Sequence, residues 1–204
     1  PEAARFTGGE AVETRRLEQA HVVFMLPAPG LTDPDHFALR LFVEILGGGM
    51  SSRLFQEARE KLGLAYAIDA FSDIYEDAGV LGVYAGCAAK DAGRLAQVTG
   101  QQVRAMAAGV EPAELARAKA QLKAYVFMGR ESLLTRAEQS AAQQLSFGRL
   151  LPSAEIAGLI DAVTIEDLAR VGARLIDPGL TASSVLGARG AAGAGARLRE
   201  ALFG

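Results

Sequence analysis

A chain of 204 residues, half of them hydrophobic and 22% charged, has the size and composition of one globular domain with a substantial core. Its formal net charge of −3 comes from acids and bases mixed along the chain, with no basic stripe of the kind that marks a nucleic-acid-binding surface. A single cysteine, Cys87, excludes an intrachain disulfide and a cysteine-based zinc site.

The chain opens at Pro1 rather than Met, which we read as a fragment or a processed product, and it opens without a signal-peptide pattern. Pro1–Glu10 is polar and glycine-bearing, like a linker, and Val12–Leu17 alternates weakly. His21–Leu26 is a β-prone apolar run that predicts a strand ending at Pro27. Asp33-Pro34 predicts a helix start, with Asp at the N-cap and Pro at the first helical position. Apolar residues on both sides of the following helix, from Phe37 to Leu46, predict that it is buried. Gly47-Gly48-Gly49 stops it, and a second helix is predicted over Ser52–Lys61, ending before Gly63. Leu64–Ile74 and Gly79–Cys87 then read as an antiparallel hairpin around Glu76–Gly79. From Asp91 to Asp177 the pattern is helical. Breaks fall at Glu111-Pro112, before Leu133 and at Pro152-Ser153, and a capping box stands at Thr164–Asp167. Leu180–Leu186 is a last strand candidate. The Gly/Ala/Arg-rich stretch after it predicts a mobile tail over 187–204 of an otherwise single domain, 1–204. Antiparallel strands with helices grouped on one face define the α+β class. The longest apolar runs, Val22–Leu26 and Val80–Ala85, are too short to span a bilayer.

Several chemistries find no residues here. His21 and His36 are fifteen positions apart and belong to no helical zinc pair, so no metal site is expected in the chain. His21 reads as a strand-end residue and His36 as a surface residue of a first helical turn. No phosphate loop, dinucleotide fingerprint or nucleophile elbow is present. Glu57 and Glu60 lie among Arg59 and Lys61, as on a solvated helix face.

The informative segment is ILGGGMSSRLFQEAREKLGLAYAIDAF, from Ile45 to Phe71. Three glycines offer a permissive backbone between two helices. Arg59 stands near the end of the second helix, and Tyr66 follows seven residues later on a strand, across Gly63. A guanidinium and a phenol brought to one surface by such a corner could both donate to a substrate oxygen. The residues alone leave a second reading open: Tyr66 capping the core beside Leu64 and Ile68, Arg59 pairing with Glu60 or Asp73, and Gly47–Gly49 as a plain turn.

This segment resembles the signature of the second domain in the pitrilysin and mitochondrial-processing-peptidase family. LEQAHVVFMLPAPGLTDPDHFALRLFVEILGGG resembles that domain's opening strand and helix, and DAGVLGVYAGC the strand after its hairpin turn. ELARAKAQLKAYVFMGRESLLTRAEQSAAQQLSFGR resembles its central helices and IDAVTIEDLARVGARLI its closing helix, so the likeness runs from about Phe6 to Leu186. The resemblance implies an α+β domain that pairs with a homologous zinc-bearing domain, on the same chain or another, and binds peptide without carrying catalytic residues or zinc itself. It places the family's substrate-binding arginine and tyrosine on Arg59 and Tyr66, and a glycine loop on Gly47, Gly48 and Gly49. The long glycine-rich insertion of the mitochondrial subunit is missing here. A bacterial cytoplasm or periplasm is therefore favoured over a mitochondrion, the compartment itself being left open. Two rivals stand beside this reading: an inactive structural or assembly subunit of the same family, and a small-molecule-binding α+β domain.

Overall fold

The computed structural model describes residues 4–204. Its centre is a five-stranded sheet in the order β1-β5-β2-β4-β3. The strands are β1 (Gly9–Thr14), β2 (Ala20–Ala28), β3 (Ala65–Ile74), β4 (Gly79–Cys87) and β5 (Ala182–Gly187). The helices are α1 (His36–Gly47), α2 (Ala92–Ala108), α3 (Pro112–Met128), α4 (Leu133–Phe147), α5 (Ser153–Ala162), α6 (Ile165–Ile176) and α7 (Ala194–Phe203). A π-helix, Phe55–Lys61, lies between α1 and β3.

The predicted β3–β4 hairpin forms, and β2 pairs with β4 and β5, all antiparallel. One pairing is different. β1 and β5 run parallel, Gly9 opposite Ala182 through Thr14 opposite Gly187. Antiparallel pairing therefore holds across four strands, with one parallel edge that a linear reading of local turns does not contain. β2 also continues through Pro27 to Ala28. β5 pairs only with His21–Met25, so at Pro27 one side of β2 is unpaired and the missing N–H costs no ladder bond.

Alternation sorts the sheet into two faces. Ala20, Val22, Phe24 and Leu26 of β2 and Leu81, Val83, Ala85 and Cys87 of β4 are buried, and the core they join includes Leu39, Phe42 and Leu46 of α1, Leu95 and Met106 of α2, and Leu168 of α6. α6 shows how local chemistry and packing agree. The Thr164 hydroxyl accepts from the Asp167 amide and the Asp167 carboxylate accepts from the Thr164 amide, a reciprocal cap. Leu168, Val171 and Leu175 then recur at helical spacing and are all buried. Gly172 lets α6 approach α2 closely: a Cβ there would stand 2.5 Å from the Ala107 Cα.

Three further expectations need correction. α1 begins at His36 with Asp35 at its N-cap, because Asp33 and Pro34 are used in the turn before it, where the Asp33 carboxylate accepts from the Asp35 amide. The helix predicted over Ser52–Lys61 is a π-helix across Phe55–Lys61, its extra residue expressed in the bond from the Leu62 amide to the Glu57 carbonyl. The stretch expected as a mobile tail forms a 3₁₀ turn, Arg189–Ala191, and helix α7, whose Leu198 and Leu202 are buried. Its glycine and alanine serve close packing: a Cβ on Gly100 of α2 would lie 2.7 Å from the Ala201 Cβ. No helix is long and apolar enough to cross a membrane among the described residues.

Candidate functional site

The segment from Ile45 to Phe71 folds into a corner built from three departures from regular geometry. The π-helix comes first. Gly63 follows in the left-handed region, φ 61°, which a residue with a Cβ rarely adopts. A β-bulge comes third: Ala65 faces Cys87 and Ala67 faces Gly86, so Tyr66 is the extra residue. Between buried Ala65 and buried Ile68 the strand thus places two exposed residues, Tyr66 and Ala67.

Tyr66 is 60% exposed, which sets aside the reading in which it caps the core. Arg59 is exposed as well, and among the described residues it makes no ion pair with Glu60 or Asp73. Its guanidinium lies over the Phe55 ring, 4.7 Å from the centroid, an arrangement that holds the side chain without consuming its hydrogen-bond donors. Arg59 and Tyr66 therefore flank Gly63 with their polar ends reachable, and no hydrogen bond joins them to each other among the described residues.

The rest of the corner is anchored. Arg53 makes a two-pronged ion pair with Glu114, at 2.8 and 2.7 Å, and that bond holds the Glu114 carboxyl below its usual range. Glu114 also accepts from the Glu111 amide at the start of α3, so the pair ties the turn leading into the π-helix to that helix end. The three glycines differ from one another. Gly47 is buried where α1 crosses β3, and a Cβ on it would stand 2.5 Å from the Ala70 amide nitrogen. A Cβ on Gly48 would meet the Glu44 carboxylate, whereas Gly49 faces only the Gln121 amide at 3.3 Å. Packing accounts for glycine at 47. Only 48 and 49 keep partial exposure.

The two histidines lie apart. His21 on β2 shares a 2.9 Å hydrogen bond between its Nδ1 and the Tyr84 hydroxyl. His36 is not on the surface as expected: its Nδ1 is buried without a partner, and burial pushes its pKa down to about 4. It lines a cavity together with Arg40, a residue the sequence reading passed over. A guanidinium amid the apolar positions of α1 was the available signal. Cys87 is buried and its thiol is pushed up to about 11, so it is an unreactive core residue. No group of three or more His, Cys, Asp or Glu is placed to hold a metal ion among the described residues.

Comparison with known proteins adds a family. The family described as "Peptidase M16 inactive domain" matches residues 1–122. A Rickettsia felis protein described as an uncharacterized zinc protease is 31% identical over 185 residues, covering 90% of this chain and 45% of that protein. The chain thus spans less than half the length of that relative. The crystal structure of a peptidase M16 inactive domain from Pseudomonas fluorescens superposes with a TM-score of 0.75 at 19% identity, covering 89% of this chain and 44% of the other. A chain of Complex III2 from Candida albicans superposes with a TM-score of 0.86 at 20% identity, covering 97% and 50%. At these identities the two structures speak for the fold alone.

Proposed function

This chain belongs to the M16 peptidase family as an inactive domain of the zinc-protease type, and from that premise we propose that it is the peptide-binding half of a zinc metalloendopeptidase. The observation that carries the reading is the exposed corner on which Arg59 and Tyr66 flank Gly63 with free donors. Both side chains donate and fit a peptide carbonyl, whose oxygen accepts. Directed at an oxygen that gains negative charge during amide hydrolysis, such donors stabilise the transition state more than the ground state. β3 is an edge strand of the sheet, so an extended peptide could pair with its outer side while its side chains contact the corner. The partly exposed backbone of Gly48 and Gly49 lies at the end of the helix that packs on β3 and would border the same peptide.

The described residues of this chain do not make a zinc site, with His21 on β2 and His36 in a separate cavity. In this reading a homologous partner domain holds the metal and activates the water, and this chain binds and orients the peptide. The Rickettsia relative is more than twice the length of the matched region, which leaves room for such a domain in a protein of that kind.

The test is turnover by the assembled two-domain protein carrying Arg59→Ala or Tyr66→Phe. Losing one donor of this kind typically costs ~3 kcal/mol, or roughly a hundredfold in kcat. Folding should change by no more than about 0.5 kcal/mol, because both groups are exposed. Unchanged turnover would remove these two residues from the site. An assembled, zinc-loaded protein that hydrolyses no peptide would favour the assembly-subunit role.

A further inference from the structure

A cavity of about 560 Å³ opens between α1, the far end of β3, the end of α3, and α4. That volume is within the range of small-molecule sites. Its walls are mixed: Phe37, Ile74, Phe147 and Ile156 contribute apolar surface, and Ser72, Gln139 and Gln143 polar groups. Two nitrogen-bearing side chains one helical turn apart, His36 and Arg40, share the same lining.

The polar groups are what a ligand would answer. Arg40 is partly buried and makes no ion pair or hydrogen bond among the described residues. The nearest acid along its helix, Glu44, acts on it only electrostatically; the Glu44 carboxylate is folded back against Gly48 at the other end of that turn. Burial lowers the Arg40 pKa from its ordinary value, yet a guanidinium remains charged at any physiological pH. The His36 Nδ1 is closed off from solvent and unpartnered, so only the accessible edge of the neutral ring can offer a donor to the cavity. Arg40 and the Asp33 carboxylate are the charged groups that act on it. A partly buried cation costs free energy until an acceptor arrives.

We propose that this cavity is a binding site for a small monocarboxylate with an apolar body, of the size of a medium-chain carboxylic acid. The carboxylate would take the planar fork of Arg40 and a hydrogen bond from His36, and the chain would lie along Phe37, Ile74, Phe147 and Ile156. One cation beside a neutral imidazole balances a single negative charge, which favours a monocarboxylate over a phosphate or a dicarboxylate, and Ser72, Gln139 and Gln143 in the same lining can hydrogen-bond the carboxylate oxygens. The site is distinct from the Arg59–Tyr66 corner and does not rest on the peptidase reading.

Octanoate titrated into the protein by calorimetry at pH 7 is the direct test, with octanamide and inorganic phosphate as controls. Saturable one-to-one binding of octanoate, weakened about tenfold or more by Arg40→Met and by loss of charge in octanamide, is the expected result. Ala142 lies on the cavity wall of α4, a helix with no buried residues, so Ala142→Trp should block the site while leaving the fold intact if Arg40→Met fails to fold. Equal binding of octanoate and octanamide, or octanoate binding untouched by Ala142→Trp, would overturn the proposal. Tighter binding of N-acetyl-leucine than of octanoate would overturn the assignment to an alkyl carboxylic acid and identify a peptide C-terminal carboxylate instead.

Discussion

His36 makes stability depend on pH well above the range in which carboxylates titrate. Its ring packs edge-on against Phe37, with centroids 5.0 Å apart, and its Nδ1 is buried without a partner. Burial is the main cause of its low proton affinity, the positive charge of Arg40 adds to it, and Asp33 opposes both. The folded-state pKa of about 4 lies below the ordinary 6.5, so the unfolded chain takes up the proton first as pH falls. Stability from this group is therefore complete above pH 6.5 and is lost progressively as pH drops toward 4. At 1.36 kcal/mol per tenfold change in proton affinity, the displacement amounts to about 3 kcal/mol at most, since the ring keeps some solvent contact. Glu44 and Asp69 work in the opposite sense, because burial raises their pKa values and protonating them favours the fold. The measurement must therefore be a difference. Urea unfolding of the natural protein and of His36→Asn, from pH 7.5 to 4.5, should give two curves that converge by up to about 3 kcal/mol as pH falls, the natural protein losing more. A constant gap between the curves across that range would refute the burial argument.

The remaining predictions concern packing and charge. Gly47→Ala should cost about 1–3 kcal/mol, because the new Cβ would meet the Ala70 backbone rather than a flexible side chain, whereas Gly49→Ala should stay within about 0.5 kcal/mol; paired urea melts decide. Asp35 is buried and accepts from both Arg170 and Arg174, so Asp35→Asn should cost about 1–3 kcal/mol by thermal unfolding. The arginine hydrogen bonds hold Asp33 and Asp35 below the ordinary carboxylate range. Their contribution is thus intact above pH 3.8 and lost below it, a second acid transition that Asp35→Asn should flatten.

Elements whose chemistry is local were readable from the sequence, as α6 shows, with its cap, its helical spacing and its buried Leu168, Val171 and Leu175 all in agreement. The hairpin was readable for the same reason. What escaped depends on neighbours distant in sequence. The β1–β5 pair joins residues more than 170 positions apart, and nothing in either strand states its direction. The Gly/Ala content of 187–204 looked like a flexible tail, but the same small residues let α7 settle against α2, so composition was a poor guide where close approach is the point. His36 looked like a surface residue because helix position alone does not reveal the cavity that α3 and α4 close over it. At the corner, Arg59, Tyr66 and Gly63 were legible as residue types and spacing. The π-helix and bulge that expose them were not, since neither has a propensity signal in a single chain.

The bulge gives the sharpest separation of fold from site. Strict alternation from buried Ala65 would bury Ala67 and expose Ile68, the larger apolar side chain. The extra residue returns Ile68 to the core, and Tyr66 is left outside. Deleting Ala67 would remove the bulge without moving either flank: Ala65 would still face Cys87, Tyr66 would take the place opposite Gly86, and Ile68 would still face Ala85. The core contacts on both sides are preserved, so the deletion should cost no more than about 1 kcal/mol in thermal unfolding. Its effect would fall on the direction of Tyr66, because a bulge re-aims the side chains it carries. If the proposed peptide-binding role holds, the deletion in the assembled two-domain protein should then lower kcat by an amount comparable to Tyr66→Phe, and combining the two changes should add little. A deletion variant that unfolds would show that the bulge serves the fold. One that folds and turns over peptide at the original rate would show that the aim of Tyr66 is irrelevant to turnover.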